Sequence, residues 1–235
     1  MKAIYKKEMR SYFCSPMGYV FIAAILALSG FFFTGVNLAN GVGDMSYVFG
    51  NLITVLMIVI PVLTMRLMAE EKSAKTDQLL LTCPISTTAI VMGKLLAAVS
   101  VFMIALLGTL VYPLMLLKYI QPAWGQIFGN YIGFFLMGSA FVAIGLFISS
   151  LTENQIVAAV VTFAVLLLLN IINWLSSLLT NQILLAVVDW LSITTRFDDF
   201  SRGMINLESV IYYLSYVAIF VFLTVRQIEK RRWSN

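Results

Sequence analysis

Apolar runs long enough to cross a lipid bilayer dominate this chain and leave it little choice of fold. Bounded by charges or turn residues, they lie near Met17–Leu38, Phe49–Met68, Ala89–Leu117, Ile127–Ser150, Ile156–Leu175 and Val210–Val225. A spanning helix needs about 20 such residues, and inside hydrocarbon the backbone must satisfy its own hydrogen bonds. Of the 235 residues, 61% are apolar and only 11% charged, where a soluble domain carries roughly 25% charged. There is too little polar surface to cover a water-soluble body. The expected fold is an all-α integral membrane protein of six transmembrane helices, one domain over residues 1–235, with short loops.

The charges set its orientation. With the first residues in the cytoplasm, the inner segments hold Lys2, Lys6, Lys7, Arg10, Arg66, Lys72, Lys75, Lys94, Arg226, Lys230, Arg231 and Arg232. The outer segments hold only Lys118, Arg196 and Arg202. The positive-inside rule therefore places both termini in the cytoplasm, in a multi-pass protein of the inner or cytoplasmic membrane. The first apolar run is long for a signal peptide and no convincing small-residue cleavage site follows it, so it is expected to be retained.

What the chain lacks removes whole classes of chemistry. It has no histidine, so zinc hydrolases of the HExxH type, Ser/His proteases and haem ligation have no imidazole to use. No GxxxxGK[ST] phosphate loop occurs, so no nucleotide hydrolysis of its own is expected. Arg66, Lys94 and Lys118 lie within snorkelling reach of a span end and Asp44 and Glu153 fall in loops, which leaves no ionisable group at mid-depth for a proton-coupled carrier or an aspartyl protease. Cys14 and Cys83 read as reduced, small apolar residues. No catalytic residue, metal site or cofactor is expected in this chain, and nothing calls for nucleic acid.

Four features stand outside the plain spans. In residues 1–15, Ile4, Tyr5, Met9, Tyr12 and Phe13 recur at helical spacing while Lys2, Lys6, Lys7 and Arg10 take the other face. This predicts an amphipathic interfacial helix suited to anionic headgroups or a cytoplasmic partner, with Pro16 and Gly18 turning the chain into the first span. Residues 69–85 form the longest cytoplasmic connection: Glu70, Glu71, Lys72, Lys75 and Asp77 precede Leu79–Leu81, Pro84 ends the segment, and Ser86, Thr87 and Thr88 offer caps for the next helix. A solvated loop explains the charges but not three consecutive leucines in water, so this segment is expected to dock a partner. Residues 176–209 are too long and apolar for an ordinary loop and too broken for a span, and predict an outer re-entrant or surface-lying helical hairpin turning near Gly203. An interfacial loop held by a structural Arg–Asp pair is the plainer alternative there. Finally, the basic tail Arg226–Trp233 looks like a headgroup anchor, and Gly138, Ser139, Ala143, Gly145 and Ser149 permit close helix packing.

Three stretches, MKAIYKKEMRSYFCSPMGYVF, MAEEKSAKTDQLLLTCPISTTAIVMGK and RFDDFSRGMINLESVIYYLS, make the chain resemble an ABC-2 type permease, the membrane subunit of an ATP-binding-cassette transporter. It is most similar to the gliding-motility Gld F-like and nitrous-oxide-reductase maturation Nos Y-like permeases. The resemblance implies that residues 69–85 are a coupling helix seated on the ATPase, with Glu70, Glu71, Lys72, Thr76, Asp77, Gln78, Leu79 and Leu80 matching its motif and Gly93–Lys94 the pair opening the third span. Members often have Gly-Thr where this chain has Lys75-Thr76. It further implies roles for Lys6, Lys7 and Arg10 on the interfacial helix, and for Asp189, Arg196, Asp198, Asp199, Arg202 and Gly203 in an extracytoplasmic hairpin or gate. The implied partners are two copies of an ABC ATPase holding ATP and Mg²⁺, a second permease protomer in a homodimer or heterodimer, the lipid bilayer, and an auxiliary membrane protein with an extracytoplasmic domain. The implied activity is export or force transmission. A non-transport scaffold is the alternative, and a membrane-embedded lipid enzyme would have only the outer aspartates to work with.

Overall fold

The apolar runs fold into helices throughout the computed structural model, which describes residues 1–76, 85–117, 123–176 and 192–234, without the side chains of 172–176 and 232–234. In chain order the helices are α1 (Lys2–Cys14), α2 (Pro16–Phe32) continuing as a π-helical turn (Phe33–Leu38), α3 (Ser46–Thr64), α4 (Arg66–Ser73), α5 (Thr87–Gly108), α6 (Val111–Leu116), α7 (Trp124–Leu151), α8 (Gln155–Ser176), α9 (Thr195–Ser201) and α10 (Leu207–Ser234). Five stretches are long and apolar enough to cross a membrane: Pro16–Leu38, Ser46–Ser73, Thr87–Leu116, Trp124–Leu151 and Leu207–Arg231. The expected fifth span falls on α8, whose apolar part is described over Gln155–Ile171. The hairpin predicted over 176–209 lies outside the described residues up to 191.

Helix boundaries follow local chemistry. Ser15 is extended and Pro16 opens α2, so the chain turns there between α1 and the first span. Ser86 caps α5 by accepting the Ala89 N–H at 3.3 Å, as its place before an apolar helix predicts. At the end of α4 the Lys75 N–H goes to the Lys72 carbonyl and the Thr76 N–H to the Glu71 carbonyl, a Schellman closure that puts Lys75 at φ +55°. Glycine is the residue for that conformation, which accounts for the Gly-Thr of the family resemblance at this position.

The centre of the bundle is α7. It packs against α3, α4, α5, α8, α9 and α10, and its small residues make this feasible. A side chain at Gly138 would run into the Phe102 ring of α5, and one at Gly145 into Thr64 of α3. Phe102, Phe134 and Phe49 then fill the space around this axis, all buried. On the periphery the apolar residues point outward: Tyr19, Val20 and Phe31 on α2, Ile156, Val160 and Leu168 on α8, Ile211, Leu214 and Phe222 on α10. Faces this apolar belong against lipid or another membrane helix.

Candidate functional site

Two ends of the bundle carry the polar chemistry. One gathers α1, α4, the start of α5, the end of α7 and the end of α10, and it is the end from which the segment after α4 departs. On α1 the inward stripe is Ile4, Glu8 and Tyr12, while Lys2, Lys6, Lys7 and Arg10 are exposed. The amphipathic reading holds for the basic face, but its apolar face lies on protein. Ile4 packs on Gly93, the Tyr5 hydroxyl donates to Ser100 Oγ at 3.1 Å, and the Tyr12 hydroxyl donates to the Leu63 carbonyl at 3.0 Å.

Glu8 is an acid on that inward stripe, and it explains Lys94. Expected to snorkel, Lys94 instead turns inward and is 1% exposed. Its Nζ reaches Glu8 Oε1 at 2.9 Å, Glu71 Oε2 at 2.9 Å and the Leu67 carbonyl at 2.6 Å. Lys7 Nζ closes the cluster at 2.6 Å from Glu71 Oε1. Burial works to lower the Lys7 pKa, yet the hydrogen bond and charge of Glu71, with Glu8 and Glu70 behind it, hold it above its ordinary value. Two cations and two carboxylates thus form a neutral knot, the arrangement that makes buried charge tolerable.

Beside it, α4 is fastened to α7 by one hydroxyl. Ser149 Oγ accepts from the Met68 and Ala69 N–H groups, each at 3.1 Å, and donates to the Met65 carbonyl at 3.0 Å. In an unbroken helix the Met68 N–H would point at the Thr64 carbonyl, so a side chain from a neighbouring helix takes up a rung left open where α3 meets α4, one turn after Pro61. Lys72 Nζ also donates to the Ser150 carbonyl. Arg66 holds Glu70 with two bonds of 2.7 and 2.8 Å and reaches Ser15 Oγ at 3.4 Å.

Of the expected docking residues, Glu70, Glu71 and Lys72 therefore sit on α4 with their charges engaged within the bundle, and Thr76 follows at its exposed end. Asp77, Gln78, Leu79 and Leu80, and Pro84 beyond them, lie outside the described residues. The basic tail is a continuation of α10, and it too is tied to the bundle: Arg231 pairs with Glu153 at 2.9 Å, and Thr87 Oγ1 donates to Glu229 at 3.2 Å.

The opposite end holds the outer candidates. Asp198 and Arg202 of the α9 turn, with Asp44, Ser46, Asn51 and Gln126, line an open polar cleft of about 530 Å³. Burial raises the Asp198 carboxyl above its ordinary value; Arg202 opposes the shift and Asp199 adds to it. Arg196 pairs with Glu208 at 2.7 Å and stacks over Tyr212, rather than joining an aspartate. Asp199 accepts from Asn206 at 3.2 Å, and Gly203 makes the turn at φ +79°. Asp189 lies outside the described residues. The sequence reading missed Glu8 and Ser46; an acid within an apolar stripe was the signal for the first, and Ser46, bonded to the Ser201 carbonyl and to Asn130, gave none.

A family model described as ABC-2 family transporter protein matches residues 2–225. No curated protein matches the sequence significantly.

Proposed function

The chain belongs to the ABC-2 family of transporter proteins, which makes it a membrane-spanning permease subunit of an ATP-binding-cassette transporter, and we propose that residues 69–85 are where its ATPase docks. One observation carries this reading. The flanks of the segment, α4 and the start of α5, are tied into the bundle by buried ionic and hydrogen bonds, so a push delivered there would reach the spans rather than be absorbed by a loose loop.

In this mechanism the chain performs no covalent chemistry. A separate ATPase binds ATP and Mg²⁺, its closure loads the segment of two protomers, and the protomers shift as rigid bodies between two arrangements. Six spans with both termini inside, the inner or cytoplasmic membrane, and export or force transmission as the output complete the proposal. The polar cleft at Asp44, Asp198 and Arg202 lies on the outer side in this orientation.

The test is to tag the full chain, purify it gently from its native membrane and assay the eluate for a co-purifying ATPase and for ATP hydrolysis. Asp77→Lys with Leu79→Asp should release the ATPase while membrane insertion is unchanged. A double variant that retains it would refute docking at this segment, and a wild-type preparation with no ATPase would favour a scaffold.

A further inference from the structure

Lys94 has three ammonium protons, and each has a partner: one carboxylate from α1, one from α4 and one carbonyl from α4. Its own backbone belongs to α5. A single buried cation thus joins the interfacial helix to both helices that flank the segment over 74–86. Stability gives no reason for it, because apolar residues of similar volume usually serve as well as a buried ion cluster or better. What charge adds is directional: each of the three helices is held at a fixed bond length to one atom, and sliding any of them leaves the buried Lys94 ammonium short of a partner.

We propose that Lys94 is the positioning residue for coupling, making α1, α4 and α5 one body so that force on the 74–86 segment moves the interfacial helix and the third span together. This rests on the ATPase-docking reading above and specifies which helices take up the load. Lys7 braces the same body from the surface through Glu71, and Ser149 and Lys72 connect it to α7.

Removing Lys94 alone leaves two buried carboxylates short of a partner, so Lys94→Met by itself could simply unfold. The decisive variant is the triple Lys94→Met, Glu8→Gln, Glu71→Gln, which removes the buried charges of the knot and leaves only Lys7, whose ammonium is exposed to solvent. In the full chain, with Cys14 and Cys83 changed to serine, nitroxide labels replace the exposed Ser11 of α1 and Ser73 of α4, and pulsed electron resonance reads their separation. The wild-type background should give a narrow distribution that stays narrow when ATP is added to the co-purified complex. The triple variant should insert and keep its ATPase, show a distribution at least twofold broader, and lose about tenfold in permease-dependent ATP hydrolysis. A distribution as narrow as wild type, or a broad one with full hydrolysis, overturns the proposal. If no ATPase accompanies even the wild type, the docking reading fails and the coupling role with it, while the width of the distribution still reports whether the knot binds the helices.

Discussion

Replacing Ser149 with alanine tests whether the break between α3 and α4 is held from outside the helix. The hydroxyl uses its full capacity, accepting two N–H groups and donating once to a carbonyl, and the residue is fully buried. Each buried backbone group left without a partner costs about 1–3 kcal/mol. Closing the open rung on the Thr64 carbonyl would recover the Met68 N–H only by shifting α4, which holds Glu71 on Lys94 and Lys72 on the Ser150 carbonyl. Neither route is free, and a net loss of about 2–4 kcal/mol follows. For a chain of this size that is roughly 4–16 °C in Tm. Thermal unfolding of the full protein in one detergent measures it, with Ser139→Ala as the reference, since among the described residues Ser139 bonds only to the Phe135 carbonyl of its own helix. A Ser149→Ala protein that melts within a degree of Ser139→Ala would refute the argument.

Lys75→Gly should stabilise by about 1 kcal/mol, because the residue holds a left-handed conformation that disfavours side chains; a lower Tm would contradict the Schellman closure. Gly138→Ala should cost about 1–3 kcal/mol through overpacking against Phe102, and Phe102→Leu in the same chain should return part of it, which a double-mutant cycle of melting temperatures measures. At the outer end, the raised Asp198 carboxyl is less favourable ionised in the folded protein than in the unfolded one, so its contribution to stability falls as pH rises above the ordinary carboxylate value. Asp198→Asn should therefore raise Tm at pH 7, with the gain shrinking toward pH 4; a gain that grows on acidification would reverse the sign.

Helix type was legible because apolar runs bounded by charge favour helices in a bilayer, although among the described residues five stretches rather than six are long enough to span, and Ser86 sits at the cap where its sequence context put it. Lys94 was not legible in the same way. Near the start of a span a lysine can turn to the headgroups or inward, and what decides is Glu8, 86 positions away in sequence. The pattern of α1 held the missing hint, since Glu8 falls between Ile4 and Tyr12 on one stripe and an acid there demands a cation. The break at Met65 had no such hint. The hydroxyl that bonds there comes from α7 and in sequence is one more small residue among several. The segment proposed to dock the ATPase stood out by composition alone, a charged run before leucines, and its residues 77–84 lie outside the described residues.

The hydroxyl that ties α4 to α7 also fixes an order of events during synthesis. Ser149 lies 80 and 81 positions after the N–H groups it accepts. At about 5–20 residues per second, the ribosome delivers it roughly 4–16 s after α4 has emerged. During that interval the Met68 and Ala69 N–H groups lack the side-chain oxygen that accepts them in the finished protein. The tie is thus made only when α7 is inserted alongside, so in a nascent chain halted before α7 the helix that precedes residues 74–86 would not yet be fastened to the bundle through Ser149.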